Sequence, residues 1–138
     1  MTQRSHGVTL AENKIKNFFI YWFPIIVYCL LIYYQSSIPA PENMPDIPYL
    51  DKMLHLGVYA LLGALFLRAL RTLKMKNTLA LMILSMALAS LYGMSDELHQ
   101  YFVPARNAEL MDILADMLGS ILGVLFYQKT SYLPARAG

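Results

Sequence analysis

Asn77 to Ser95 reads NTLALMILSMALASLYGMS, a run without a charged side chain between Lys76 and Asp96. About 20 mostly apolar residues are what a helix needs to cross a bilayer, so this stretch reads as a membrane span. Upstream, Lys16 and Glu42 bracket a second uncharged run whose apolar heart is FFIYWFPIIVYCLLIYY, Phe18–Tyr34. Pro24 falls in its first third, which a membrane helix tolerates. A cleaved signal peptide fits this run badly: it is long, Pro41 would follow a cut after Ala40, and Ile38 stands where a small residue belongs. Two shorter stretches complete the set. MLHLGVYALLGALFL, Met53–Leu67, spans if Arg68 and Arg71 snorkel into the interface. DILADMLGSILGVLFYQ, Asp112–Gln128, carries Asp112 and Asp116 in its first turns.

Composition agrees. Of 138 residues, 57% are hydrophobic and 14% charged, against about 45–50% and about 25% in soluble domains. With 12% aromatic residues the chain has more than enough to collapse, which excludes disorder. One cysteine excludes an internal disulfide framework and a multi-cysteine zinc site. A net charge of +2 is too small to argue for nucleic acid. The expected fold is an all-α membrane protein, a four transmembrane helix bundle. It comprises an N-terminal segment 1–17, a bundle 18–128 and a short tail 129–138.

The charges sort by loop. Arg4, Lys14, Lys16, Arg68, Arg71, Lys74, Lys76, Lys129 and Arg136 fall on one side, with Glu12 the single acid there. Opposite them lie Glu42, Asp46, Asp51, Asp96, Glu97, Glu109, Asp112 and Asp116, with Lys52 and Arg106. By the positive-inside rule both termini are expected in the cytoplasm, and the two acidic loops, 36–52 and 96–111, outside. Anionic lipid headgroups are partner enough for the basic 68–76 loop.

The outer side gathers unusual chemistry. Asp51, His55 and Tyr59 are spaced i, i+4, i+8 and share one helix face. Asp96 and Gln100 are i, i+4, as are Asp112 and Asp116. Ionisable groups at membrane depth are costly and by default functional. Plainer readings stand beside that one. Asp51 and Asp112 near helix starts complement the macrodipole, worth roughly 0.3–1 kcal/mol. His55 serves equally as an interfacial packing residue. His99 reads as an exposed bystander, and Glu97 and Glu109 as solvated. Arg106 reads as a clamp to Asp96 or Asp112, or as a bidentate anchor for a phosphate or carboxylate. Cys29 and the methionines read as packing. Gly119-x-x-x-Gly123 permits close helix approach, within the bundle rather than between copies. Tyr21, Trp22 and the tyrosines from Tyr28 to Tyr34 are in part interfacial-belt residues.

Three ordered motifs then resemble one family. Asp51-Lys52-x-x-His55-x-x-x-Tyr59, Asp96-Glu97-x-x-Gln100-x-Phe102-Val103-Pro104-x-Arg106 and Asp112-x-x-Ala115-Asp116-x-x-Gly119-x-x-x-Gly123 look like the signature of the VanZ-like bacterial membrane proteins. Gln35-Ser36-Ser37 resembles the same pattern, and the likeness covers residues 30–127. The chain departs from it at Ala105, where the family commonly has Gly and where a tighter turn before Arg106 is expected, and at Asp116, often Asn. The resemblance implies a cell-envelope setting and a link to low-level resistance to teicoplanin, a lipid-tailed glycopeptide.

Three functional readings stay open. In the first, the chain is an enzyme acting at the outer leaflet on a lipid-linked envelope component. His55 would be its general acid or base, tuned by Asp51 or a neighbouring carboxylate; Asp96 and Asp112 would be further acid/base or electrostatic groups, and Arg106 would hold a phosphate. In the second, an envelope lipid or lipoglycopeptide is bound or transported unchanged. Lys52 and Arg106 would then pair with anionic groups, and Tyr59, Gln100 and Asp116 would line the site. In the third, the polar groups only tie helix ends together. A divalent metal is a variant of the first. Carboxylates with an imidazole suit zinc or manganese, but HExxH and paired-histidine spacings are absent, and no metal ligand is assigned.

Overall fold

The computed structural model describes residues 12–39, 48–73, 75–104, 106 and 108–132. Arg4, Glu42, Asp46, Lys74, Ala105, Arg136 and the Ala40–Pro41 junction lie outside them, and with Ala105 the tighter turn expected there. Four helices are long and apolar enough to cross a membrane. They are α1 (Glu12–Ser36), α2 (Leu50–Leu70), α3 (Thr78–Gln100) and α4 (Leu110–Tyr132). The described residues contain no strand. Helix α1 extends back to Glu12, so the described part of the 1–17 segment is helical rather than a separate tail.

Local chemistry explains the helix ends. Pro24 has no N–H to give to Ile20, and the preceding turn, Phe18–Trp22, widens into a π turn closed by Phe23 N–H to Phe18 O. Tyr49 precedes α2 in the left-handed conformation (φ 61°), and its carbonyl takes the first helical bond, from Met53 N at 3.0 Å. Asn77 caps α3, its side chain accepting from Ala80 N at 3.1 Å.

The helices run up and down, each beside its neighbours in sequence. Helices α2 and α4 pack most intimately, because small residues let their backbones meet. A Cβ on Gly119 would run into Leu56 O, one on Gly123 into Ala60 O, and one on Gly63 would lie 2.7 Å from Ser120 O. The close approach expected of Gly119 and Gly123 is thus made inside the bundle. Tyr59, Leu62, Leu67 and Val124 fill the core, with Ser85 and Ala89 of α3 against it. Helix α1 is peripheral. Phe19, Phe23, Leu30, Tyr33 and Tyr34 are exposed, as a lipid-facing surface requires, and polar ties help to hold it: Tyr28 Oη donates to Val58 O (3.1 Å) and Tyr92 Oη to Cys29 O (2.6 Å).

The two ends differ. At one, Arg68 stacks 4.9 Å over Tyr21, and Arg71 lies 5.0 Å over Tyr127 and bonds Gln128. The arginines expected to snorkel thus shelter on aromatic rings at the bundle end. The other end, where α1 and α3 finish and α2 and α4 begin, holds the acids.

Candidate functional site

Lys52, in the first turn of α2, occupies the outermost layer of the acidic end. Its Nζ lies 2.8 Å from Asp51 Oδ2, 2.8 Å from Glu109 Oε2 and 3.1 Å from Asp112 Oδ1. The Asp51 and Glu109 side chains are about half exposed, whereas Asp112 keeps 7% of its side-chain surface. A charge read as free to hold an anionic ligand is therefore taken up by three carboxylates of its own chain.

One turn deeper, three helices contribute one group each. His55 of α2 places Nδ1 3.0 Å from Asp116 Oδ1 on α4 and 3.7 Å from Glu97 Oε1 on α3. Asp116 is wholly buried, and its Oδ2 has no hydrogen-bond partner among the described residues. Glu97 is buried too. Its Oε2 accepts from Glu109 N (3.2 Å) and its Oε1 from Gln100 Nε2 (3.4 Å). One expectation is narrowed here and another corrected. Of the carboxylates open to His55, the one in contact is Asp116, while Asp51 pairs with Lys52. Glu97 is not solvated: Ser85, Ala89, Gly93 and Glu97 form an i, i+4 ladder on the buried face of α3. That ladder of small residues leading into Glu97 was the signal in the sequence.

Asp96 forms a third node, accepting from Ser36 of α1 and from Gln100 Nε2 at 3.1 Å. Tyr59 is buried with its ring nearly parallel to that of His55, and its hydroxyl has no partner among the described residues. His99, expected as a bystander, is half-buried. Its Nε2 lies 3.0 Å from Ser37 Oγ and its ring 4.6 Å from Tyr33, so it ties α3 to α1. Arg106 clamps neither Asp96 nor Asp112. Its Nε donates to Ile38 O and its Nη2 to Gln35 O, both at 2.8 Å, satisfying carbonyls at the end of α1 beyond the regular helical ladder.

These groups border a cavity of about 270 Å³. Asp51, His55, Tyr59, Asp96, Gln100 and Arg106 line it together with Ser36 and Gln35, and Tyr28, Leu31, Ile32, Leu54 and Val58 form its apolar wall. Lys52, Glu97, Asp112 and Asp116 are not on that lining. His55 Nε2 has no hydrogen-bond partner among the described residues, so the imidazole is held at one nitrogen and borders the cavity.

The anchoring role of Arg106 is directly testable. Arg106→Ala is expected to free the end of α1, at about 1 kcal/mol per lost bond in this partly exposed setting. Spin labels at the exposed positions Tyr34 and Leu98 should then give a broadened distance distribution. An unchanged distribution would remove Arg106 from that role.

Four helices long and apolar enough to cross a membrane, with a buried ionisable cluster at one end of the bundle, mark a multi-pass membrane protein. The VanZ/LLP1 family model matches residues 8–131, and the chain belongs to that family. No curated protein and no solved structure matches it.

Proposed function

We propose that the chain is a bacterial cytoplasmic-membrane protein that receives a lipid-linked envelope component, or a lipid-tailed glycopeptide, in the cavity at its acidic end. The cavity carries this reading. An apolar wall between α1 and α2 meets a floor of His55, Asp96, Gln100 and Tyr59, the form expected of a pocket for an amphiphile with a polar head. Leu31 and Leu54, on that wall, are 58% and 50% exposed, so an acyl chain can reach it from the lipid. Lys14, Lys16, Arg68, Arg71, Lys76 and Lys129 crowd the opposite end, which supports an extracytoplasmic cavity with segments 1–17 and 129–138 in the cytoplasm. Membership of a family linked to teicoplanin resistance supports the envelope setting.

The test is susceptibility. Wild-type protein expressed in a sensitive host should raise the teicoplanin concentration needed to stop growth several-fold. His55→Ala, at equal membrane abundance, should return it to the empty-vector value. Full protection by His55→Ala sinks the proposal.

A second reading, acid/base chemistry rather than binding alone, is favoured by one observation: Asp116 pairs with His55 Nδ1, and His55 lines the cavity. A base with its orienting partner is the arrangement proton transfer needs. Recovery of a converted lipid from membranes carrying wild type and not His55→Ala supports it. Recovery of only unaltered ligand leaves binding or transport.

A further inference from the structure

The acidic end contains two clusters of carboxylates, and they are neutralised differently. Around Lys52, Asp51, Glu109 and Asp112 share an ammonium from their own chain. The deeper cluster holds two carboxylates more thoroughly buried than those, Glu97 at 2% and Asp116 at 0% exposure, and among the described residues its cationic partner is limited to one imidazole. Burying a carboxylate without full compensation is expensive, and here one carboxylate oxygen, Asp116 Oδ2, has no partner among the described residues.

We infer that His55, Glu97 and Asp116 form a binding site for one divalent transition-metal ion, zinc or manganese. Their ligand atoms all lie within 4.8 Å of one another, and the His55 Nδ1 separations of 3.0 and 3.7 Å match the distances between neighbouring ligands on an ion with bonds of about 2.0–2.2 Å. One imidazole with two carboxylates favours a borderline metal over calcium or magnesium, which prefer oxygen alone. The ligands are also held in place. Gln100 and the Glu109 amide fix Glu97, the kind of outer-shell support that orients metal ligands. Three helices each give one ligand, and of these three residues only His55 lines the cavity, so the ion would sit behind the cavity wall, between the imidazole and the two carboxylates. The ion takes the place of the proton that His55 and Asp116 otherwise share, so the two are alternative states of one site.

The full chain, purified in detergent and stripped with a chelator, should take up one zinc or manganese ion per chain and keep it through desalting, as read by elemental analysis. Cobalt(II) added to the unmutated chain should give the visible absorption of an imidazole–carboxylate site, which needs no variant to fold. His55→Ala and Glu97→Gln should lose affinity by more than the roughly 10–100-fold that loss of an outer-shell partner costs. Asp51→Asn, in the Lys52 cluster, should retain it. Absence of stoichiometric uptake, absence of the cobalt band, or uptake that Asp51→Asn abolishes and Glu97→Gln spares would each overturn the inference. No amphiphile enters this experiment, so its failure is separate from failure of the ligand reading above.

Discussion

Gly123→Leu is expected to destroy the native bundle, while Gly57→Ala leaves it intact. A Cβ at position 123 would collide with the Ala60 carbonyl, and one at 119 with that of Leu56. Both obstacles are backbone, so no rotamer change on α2 relieves them and the helices must separate. Overpacking that side chains can absorb costs roughly 1–3 kcal/mol. Here the cost lies at the top of that range or above it, because separation also strips contacts from Tyr59, Leu62 and Val124, all buried in the core. Gly57, on the facing helix α2, is exposed, with nothing within 4 Å of a Cβ. Alanine there gains the roughly 0.5–1 kcal/mol that separates it from glycine in a helix. Thermal unfolding in detergent, read by helical signal and protease resistance, checks both variants. Wild-type unfolding of Gly123→Leu would mean that α2 and α4 do not meet through these glycines.

That contact was legible beforehand, and so were the four helices. Each follows from a property local in sequence: an uncharged run, a sorted set of loop charges, a pair of glycines four apart. The site was legible in its membership more than in its pairings. The i, i+4 spacings put His55 with Tyr59 and Asp112 with Asp116 on shared faces. Which acid meets His55 depends on the axial stagger of α2 against α4, and that stagger is set where Gly119 and Gly123 seat on Leu56 and Ala60. No pattern within one helix reports it. Arg106 was opaque for another reason, since its partners are the backbone carbonyls of Gln35 and Ile38, and a sequence does not advertise which helix-end carbonyls a side chain will reach. Glu97 was different: the ladder Ser85, Ala89, Gly93, Glu97 was present, but its nearness to the loop made solvation seem enough.

Lys52→Met should destabilise the bundle, and adding Asp112→Leu should restore most of the loss. Asp51 and Glu109 are about half exposed and rehydrate when the ammonium goes, but Asp112, at 7%, cannot. Breaking a fully buried pair costs about 3–5 kcal/mol through the charge left behind. Lys52 keeps 20% of its side-chain surface, and solvent screening of such partly exposed pairs brings the expectation down to about 2 kcal/mol. Asp112→Leu alone should cost less, since Lys52 retains two carboxylates. The two substitutions should therefore be non-additive, as groups in one network are. Added salt should weaken the Asp51 and Glu109 contacts more than the sheltered one to Asp112. The same variants separate support from function. If Lys52 and Asp112 chiefly balance each other, the double variant regains both its unfolding temperature and its teicoplanin phenotype. A double variant that folds as well as wild type yet gives no protection would put one of them in contact with the ligand, and the polar site would then extend outward from His55 to the first turn of α4.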